Sequence, residues 1–600
     1  MAVRNTNNLM NKLYRICSFF TIRVPLLPTS VVPKVLQLGI SSKDFLHIGN
    51  EVLNRDQIQD VRSAIAVANL AFLNALDSGS ENEKLLEDKV LDYLVRMSTR
   101  PTPFGMLAGV AVGKWGESTQ ISLSAEPRAT MTKASFPWIE SLVGSLESKK
   151  EILTSLELMT NPAIFVRGNR AIIPERMSPA KLEERSRVSL RMTGALKLTL
   201  ESAWAGTQYP SLERLLTKIE KRRGGTALSF IRFLVEQKFL LTNLNPPISN
   251  KDQLAYVIDK LHKAGADPEI IARLTDLKKA MNEFDSATAE EKEDSFRKLV
   301  ETLRNVPHTP MDEPFVVDSA VRFESVKISG LVATEVEKAV ELLLSLSSHP
   351  RGPSILNRYH KLFDSWYGEQ DEIEVPLLEF LDKCLTDARI QESKSDTELK
   401  LDKETEHRRN RALLDLAVRA IRNRQTIVSL DKATIDRITT CHPNANLTPV
   451  SIDVGVSIVA SSQQAIDKGE FKVIIGPLVE SGAGRSLGRF AWVIGDEAIS
   501  ALKEIVKAED EFYAPKQTVE FVSMPTNPRA ANVANTPMLR AYEVDFDTVP
   551  SVTHERTVLL NELVIGKRNG RFYVRSPSLK KEIIFRVGHM LNENMLPEIG

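Results

Sequence analysis

The chain has few cysteines and no long apolar run, and both absences limit the cellular compartments in which we expect it. Three cysteines, Cys17, Cys384 and Cys441, are spread over 600 residues, which argues against a disulfide framework and suits a reducing compartment. No stretch approaches the roughly 18 consecutive apolar residues of a transmembrane helix. The apolar segment at residues 16–20 is short and is followed by Arg23, so it does not resemble a signal peptide. We therefore expect a cytoplasmic protein with no membrane span.

An excess of charge of one sign is also absent. Lys plus Arg and Asp plus Glu each number 78, so the chain is not a generally basic nucleic-acid-binding coat. Any contact with RNA must come from local clusters of arginine and lysine.

Several catalytic signatures are missing as well. The segment Gly482–Arg489 is rich in glycine but lacks the Gly-Lys-Ser/Thr ending of a phosphate-binding Walker loop. The same segment has the Gly-x-Ser-x-Gly spacing at Gly484–Gly488, but this short pattern by itself does not make a recognisable hydrolase triad. The adjacent pair Cys441-His442 has no further ligands at metal-binding spacing, so we expect a structural role for it and no metal site. The sequence predicts no ATP site, no hydrolase triad and no bound cofactor.

The length and pattern of the chain predict a multi-subdomain α+β protein. Six hundred residues are too many for one core, so about two to four subdomains are expected. We predict an N-terminal α+β part (1–160), a compact unit (161–247), a mainly helical part (248–424) and a mixed α/β part (425–600). In the last part, short runs such as 472–476, 489–494, 541–546, 563–566 and 571–575 indicate strands.

The compact unit has a winged-helix-like pattern. Residues 163–166 and 171–173 flank Gly168-Asn169, which predicts a β-hairpin. Helical patterns follow at about 189–203, 211–219 and 229–239. Such a unit can read DNA through a recognition helix, or bind a peptide that adds a strand to an exposed edge.

The most informative segment is Arg96-Met-Ser-Thr-Arg100-Pro-Thr102-Pro-Phe-Gly105. Its two arginines stand four residues apart at the end of an amphipathic helical pattern, and the prolines end that helix. Two permanently charged guanidiniums on one face suit phosphate or carboxylate groups. The alternative is a surface helix end whose arginines interact with the last carbonyl groups.

This segment, followed by the Leu-Ala-Gly-Val-Ala-Val-Gly run of residues 107–113, resembles the N-terminal signature of the lantibiotic dehydratases, or LanB-type enzymes. Further matches follow in the order of that family and span residues 20–592. They are Arg23-Val-Pro25, Phe363–Gly368 with Val375–Glu379 and Leu381-Asp382, Gly488-Arg489-Phe490, Arg529–Val533, Tyr542-Glu543, Phe572–Ser576 and His589–Asn592.

The resemblance implies a specific function. The similar part of the family transfers glutamate from glutamyl-tRNA to Ser or Thr hydroxyls of a ribosomally made precursor peptide. This is the first half of dehydration in lanthipeptide and thiopeptide-type biosynthesis. Glutamyl-tRNA would be the co-substrate, and the unit at 161–247 would bind the leader part of the precursor peptide. The family's C-terminal elimination domain has no counterpart here, so the resemblance implies a separate elimination protein. It also implies a homodimer.

The resemblance also assigns residues. Arg96 and Arg100 would contact phosphate or the glutamyl carboxylate, Thr102 would shape the pocket, and Arg489 would add a cationic contact. Asp318 stands where the family has an acidic residue and would orient a donor or the substrate amine; the alternative is a turn residue at a strand end. Arg23, Arg529 and Asn532 are assigned to substrate binding.

One departure leaves alternatives open. Where the family usually has an Asp three residues before a Trp, this chain has Ser135 before Trp138, and a hydroxyl cannot act as a carboxylate. The chain could therefore be a catalytically degenerate scaffold that only binds leader peptides. Small dehydratase relatives that add an amino acid to a peptide C-terminus give another alternative, although they use ATP and no nucleotide motif is evident here.

Overall fold

The structure, a computed structural model, describes residues 2–4, 13–38, 52–78, 83–178, 181–220, 226–306, 313–346, 355–386, 403–440, 448–525 and 527–591. The Cys441-His442 pair lies outside these residues, and so does Asn592, the last residue of the His589–Asn592 match. Among the described helices, none is both long enough and apolar enough to cross a membrane.

The strands, in chain order, are β1 (Ala2–Arg4), β2 (Tyr14–Ile16), β3 (Phe19–Pro25), β4 (Ala108–Gly116), β5 (Gln120–Ala134), β6 (Glu157–Thr160), β7 (Phe165–Arg167), β8 (Arg170–Ser178), β9 (Lys181–Arg191), β10 (Thr207–Gln208), β11 (Leu240–Thr242), β12 (Phe315–Ser329), β13 (Glu374–Pro376), β14 (Ser451–Ala460), β15 (Phe471–Ser481), β16 (Gln517–Ser523), β17 (Glu543–Phe546), β18 (Val564–Arg568), β19 (Arg571–Ser576) and β20 (Lys581–Arg586).

The helices, in chain order, are α1 (Val31–Leu38), α2 (Arg55–Ser78), α3 (Glu83–Thr99), α4 (Phe136–Glu147), α5 (Lys150–Leu153), α6 (Gly194–Ser202), α7 (Tyr209–Glu220), α8 (Ala227–Glu236), α9 (Gln253–Lys263), α10 (Pro268–Ser286), α11 (Lys292–Leu303), α12 (Gly330–Ser345), α13 (Ile355–Tyr367), α14 (Leu377–Thr386), α15 (Lys403–Arg422), α16 (Lys432–Ile438), α17 (Gln463–Asp467), α18 (Arg485–Gly488), α19 (Ala491–Ile494), α20 (Asp496–Tyr513) and α21 (Ala531–Ala534).

A four-stranded sheet in the order β3-β4-β12-β5 positions the candidate site. Strands β3 and β4 are antiparallel, β4 and β12 are parallel, and β12 and β5 are antiparallel. The sheet is covered on both faces, which explains why the first six residues of β4 (108–113) are all buried and read as a continuous small and apolar run.

The two faces of this sheet differ in what covers them. On one face Val317 and Ala134 join a large core built from α2, α3, α4 and α9–α11. On the other face Phe19, Val110 and Val112 pack against apolar residues of α18, α19 and α20. Side chains directly opposite each other in a sheet share a face, so the strand register decides which polar groups meet under α18–α20.

The compact unit has its own core. Strands β7, β8 and β9 form one small sheet, and β10, β6 and β11 form another, with α6–α8 packed beside them. The Gly168-Asn169 turn lies between β7 and β8 as predicted, and Gly168 has a φ of +59°. The first predicted helix starts too early, because residues 189–191 belong to β9. Val188 and Leu190 alternate with polar residues, which is the period of a strand and not of a helix.

A six-stranded sheet in the order β13-β18-β19-β20-β16-β17 dominates the last part of the chain. Its strand β13 comes from the region predicted to be mainly helical and pairs with β18. The strand predicted at 489–494 is wrong, since α19 occupies 491–494. Leu487, Phe490 and Ala491 are buried at three- and four-residue spacing, and a short apolar run does not distinguish a strand from a buried helical turn. The overall α+β fold is confirmed.

Candidate active site

The arginine motif lies where α3 ends and the chain turns into β4. The amide of Arg100 donates to the Arg96 carbonyl over 3.1 Å, and the Met97 carbonyl accepts from the amide of Leu27 over 2.9 Å. Pro101 has no amide proton and stops the helix. The turn is closed by a backbone hydrogen bond, in which the Leu107 amide donates to the Phe104 carbonyl over 3.0 Å. The motif is thus fixed to the central sheet.

Neither guanidinium of this pair has an acidic partner. Within the described residues, no hydrogen bond or ion pair is made by the side chain of Arg96 or Arg100. Arg96 lies over the ring of Phe104, with 5.1 Å between the guanidinium carbon and the ring centroid. Arg100 and Thr102 are exposed. The predicted alternative, in which the arginines hydrogen-bond the last helix carbonyls, has no support among these contacts.

Asp318 is buried inside β12 and is not a turn residue at a strand end. Its carboxylate forms ion pairs with Lys133 Nζ at 3.0 Å and with Arg489 Nη2 at 2.8 Å. Burial alone would raise the pKa of Asp318, but the charges of Lys133 and Arg489 outweigh it and hold that pKa below its ordinary value. Asp318 is therefore an ionised carboxylate that organises two cations.

The same three groups carry a net positive charge that reaches solvent through Arg489. The side chain of Arg489 is 22% exposed, whereas those of Lys133 and Asp318 are 6% and 1% exposed. Burial lowers the pKa of Lys133, against the opposing effect of Asp318. An incoming anion would therefore meet the guanidinium of Arg489, which the buried carboxylate of Asp318 holds in place.

Lys133 and Asn535 belong to this cluster, and the sequence reasoning did not identify them. Lys133 Nζ donates to Asn535 Oδ1 over 3.0 Å and lies 5.0 Å from the ring centroid of Trp492. Asn535 Nδ2 in turn donates to the carbonyls of Ile248 and Asn250 over 2.6 and 2.8 Å. In the sequence, Lys133 is only one polar residue in a predicted strand. Its partner Asp318 becomes evident only from the pairing of β5 with β12.

Arg23 lies on the same face of the sheet. It is paired with Val110, which is paired with Ala320, and Asp318 stands two residues before Ala320. Its Nη2 donates to the carbonyl of Ser486 over 3.3 Å. Burial lowers the pKa of Arg23, and the observed contact attaches the sheet to α18, which lies in the glycine-rich loop after β15.

That loop, Gly482–Arg489, follows β15 directly but is not arranged to hold phosphate. The amides of Gly484 and Ser486 both donate to the carboxylate of Asp453 over 2.9 Å. Amide protons bound to a carboxylate are not available to a phosphate. Gly488 has no space for a side chain, because a Cβ there would lie 2.2 Å from the Gly588 carbonyl oxygen. The loop is a packing element that positions Arg489.

Two predicted substrate-binding residues lie elsewhere. Arg529 forms an exposed ion pair with Glu313 at 3.5 Å. Asn532 Oδ1 accepts the amide proton of Phe136 over 2.8 Å, so it caps the start of α4. Ser135 precedes that helix, but its buried hydroxyl makes no hydrogen bond among the described residues. The side chain of Asn532 performs the capping that a serine at this position usually supplies.

The structure thus brings some of the predicted residues together and separates others. Arg23, Asp318 and Arg489 meet at one face of the central sheet. Arg96 lies in the last turn of α3, and Arg100 and Thr102 lie in the connection to the neighbouring strand β4. None of the three makes a hydrogen bond or ion pair to that cluster among the described residues. Arg529 and Asn532 belong to a third segment, next to the start of α4.

Comparison with known proteins identifies the class. Residues 57–599 match the family model described as "Lantibiotic dehydratase, N terminus", and the chain belongs to this family. It is 24% identical over 604 residues to the subtilin biosynthesis protein SpaB of Bacillus subtilis, covering 97% of this chain and 56% of that protein. It is 20% identical over 531 residues to the epidermin biosynthesis protein EpiB of Staphylococcus epidermidis, covering 87% and 51% respectively. The chain therefore spans about half the length of these relatives.

Solved structures agree on the fold. The tRNA-dependent lantibiotic dehydratase MibB from Microbispora sp. 107891 superposes with a TM-score of 0.80 at 23% identity, covering 97% of this chain and 55% of that one. The glutamylation domain of TbtB from thiomuracin biosynthesis, bound to 5'-phosphodesmethylglutamycin, gives a TM-score of 0.62 at 15% identity, covering 91% and 69%. The predicted family is confirmed, and the lanthipeptide dehydration context follows from it.

Proposed function

We propose that this chain transfers glutamate from glutamyl-tRNA to Ser or Thr hydroxyls of a precursor peptide. The observation that carries the proposal is the pair Arg96 and Arg100, two guanidiniums held on a fixed turn without a carboxylate partner among the described residues. In a family of dehydratases whose structural neighbours include a glutamylation domain, such a pair suits the anionic groups of a charged tRNA.

The reaction is a transesterification and needs no ATP. The peptide hydroxyl attacks the ester carbonyl that joins glutamate to the tRNA ribose, a new ester forms to the peptide, and the ribose oxygen leaves with the hydroxyl proton. Arg96 and Arg100 would bind the free side-chain carboxylate of glutamate or a backbone phosphate, where bidentate geometry is favourable. Thr102 would shape the pocket beside them.

The cluster around Asp318 would have a supporting role. Because Asp318 is buried between Lys133 and Arg489, it acts as a positioning residue that orients the partly exposed guanidinium. Arg489 would add positive charge where negative charge develops on the carbonyl oxygen. The unit at 161–247 would bind the leader peptide by strand addition. Elimination of glutamate would follow as a second step, and the chain would work as a homodimer.

The test is transfer of radiolabelled glutamate from glutamyl-tRNA to the precursor peptide encoded beside this gene, with ATP left out. We expect a base-labile ester on the peptide with the wild type and a loss of label with Arg96→Ala. The matched control is Arg304→Ala, which removes an exposed arginine from the end of another helix, α11. Equal loss of label in both variants, or no label with the wild type, would contradict the proposal.

Ser135 favours a second candidate, a leader-peptide-binding scaffold without transfer activity. Its buried hydroxyl lacks a hydrogen-bond partner among the described residues, at the position where the family usually has a carboxylate. In that case the precursor peptide should bind equally well to the wild type and to Arg96→Ala with Arg100→Ala, and no aminoacyl group should be transferred from any tRNA. Appearance of transfer only in Ser135→Asp would identify the missing carboxylate as the cause.

A further inference from the structure

Phe104 is an exposed aromatic ring at the centre of the arginine motif. It is 54% exposed, although a ring of this size is usually buried in a soluble protein. It is not on a loose loop. Its carbonyl accepts the amide proton of Leu107 over 3.0 Å, and the next residue, Gly105, has a φ of +54° that suits glycine. The turn presents the ring to solvent in a fixed position.

The surroundings of the ring are cationic. The guanidinium of Arg96 lies over it, 5.1 Å from the ring centroid, and Arg100 follows one helical turn later. Neither arginine has an acidic partner among the described residues. Proteins that bind unpaired nucleotides combine these parts: an aromatic ring on which a base stacks, a guanidinium plane beside it, and positive charge for the phosphates.

We propose that Phe104 is the stacking platform for an unpaired base at the 3' end of the aminoacyl-tRNA. This proposal rests on the proposed function and names the part of the tRNA that this turn contacts. Arg96 fixes the ring, and the free guanidinium charge of Arg96 and Arg100 meets the flanking phosphates. A precursor peptide is the other occupant to consider, but an aromatic ring under one guanidinium, with a second arginine nearby in the sequence, complements a polyanion better than a neutral peptide segment.

The first test separates binding from chemistry by kinetics. With Phe104→Ala we expect the KM for glutamyl-tRNA to rise about 5- to 100-fold, the range for loss of one stacked base, with kcat and the KM for the precursor peptide nearly unchanged. Phe104→Trp should restore a low KM because it keeps a stacking face. The matched control is Leu85→Ala on α3, the helix that precedes this turn; Leu85 is 49% exposed and its replacement should change nothing.

The second test reports stacking directly and needs no transfer. A tRNA transcript carrying 2-aminopurine as its terminal base should lose fluorescence on binding to the wild type and to Phe104→Trp, because stacking quenches this base. Phe104→Ala should bind with little quenching. Equal quenching by Phe104→Ala would overturn the proposal, and so would a selective rise in the KM for the precursor peptide, which would assign the ring to that substrate.

The two proposals fail in different ways. If the wild type transfers glutamate and Phe104→Ala performs equally well, the stacking platform is wrong and glutamyl transfer stands. If the wild type quenches 2-aminopurine through Phe104 but transfers nothing, the platform stands and the transfer reaction is wrong.

Discussion

Arginines serve two different purposes in two regions of this molecule. In the C-terminal part, Arg540 and Arg586 both contact the fully buried carboxylate of Glu509. In the α3–β4 connection, Arg96 and Arg100 have no carboxylate partner among the described residues. One region therefore uses guanidiniums to join its elements, whereas the other leaves them without a carboxylate partner among the described residues.

The difference follows from desolvation. A charge removed from water destabilises the fold unless an opposite charge and hydrogen bonds compensate for it. Glu509 lies on α20, Arg540 follows α21 and Arg586 is on β20, so their contacts tie three segments together. An exposed guanidinium has no such requirement, and the absence of a partner at Arg100 is compatible with stability. This contrast predicts that the first set affects folding and the second affects only activity.

The largest effect is expected for Glu509→Gln. The neutral amide leaves Arg586 without a carboxylate partner among the described residues, whereas Arg540 keeps Asp510 and Glu520. Removing one partner of a buried ion pair typically lowers the free energy of unfolding by about 3–5 kcal/mol. Urea denaturation measures this, and the m-value of each variant checks that both unfold in the same way as the wild type. The control is Glu511→Gln, an exposed residue on the same helix, which should change stability by under about 0.5 kcal/mol. Similar effects in both variants would remove the contrast.

Glu520 is a buried carboxylate of the same region that its partners compensate only in part. Burial raises its pKa to about 7, against the opposing charge of Arg540, whose Nε lies 3.3 Å away. Because this pKa is higher in the folded than in the unfolded protein, the folded state binds more protons between about pH 4.5 and 7. The free energy of unfolding should therefore fall as the pH rises through this window.

The expected decrease is on the order of 3 kcal/mol, since one pKa unit corresponds to about 1.4 kcal/mol. Measuring urea denaturation at several pH values between 5 and 8 gives the slope for the wild type. Glu520→Gln cannot titrate and should give a flatter profile with a gain in relative stability at pH 8. An unchanged slope in this variant would mean that another group produces the pH dependence.

Arg100→Lys tests the unpaired region with the charge retained. A lysine cannot form the two parallel hydrogen bonds that a guanidinium makes with a carboxylate or phosphate. We expect kcat/KM for glutamyl transfer to fall about tenfold, equivalent to about 1.4 kcal/mol, while the free energy of unfolding stays within about 0.5 kcal/mol of the wild type. A loss of stability larger than the loss of activity would place Arg100 with the structural arginines.

Much of the fold could be predicted from local patterns. The Gly168-Asn169 hairpin turn, the helix that ends at the prolines after Arg100, and the strands at 543–546, 564–568 and 571–576 all have strong local signals. The errors came from patterns that need tertiary context. The run at residues 489–494 is apolar enough for a strand, and only its position against the central sheet makes residues 491–494 a short helix, α19.

The candidate site was less predictable, because its geometry depends on strand register. The family resemblance points to Asp318, but its partner Lys133 is 185 positions away in the sequence and is brought close by the pairing of β5 with β12. Asn532 was assigned to substrate binding, and the structure shows it capping α4. The sequence identifies residues whose side chains suit a reaction, but the tertiary structure decides which of those side chains are in contact.

Arg529 is exposed like Arg100 but has a carboxylate partner like Arg540 and Arg586, and its replacement should have the smallest effect on stability and activity. Its partner Glu313 is exposed and 3.5 Å away, so breaking this pair should change stability by under about 0.5 kcal/mol. If Arg529 binds substrate as predicted, Arg529→Ala should raise the KM for glutamyl-tRNA a few-fold, whereas Glu313→Ala should lower it, because the arginine is then free. If the pair is only a surface contact, the two variants should behave alike. Measuring both at low and high salt sharpens the distinction, since screening weakens a phosphate contact and leaves the wild type and Arg529→Ala with similar KM values.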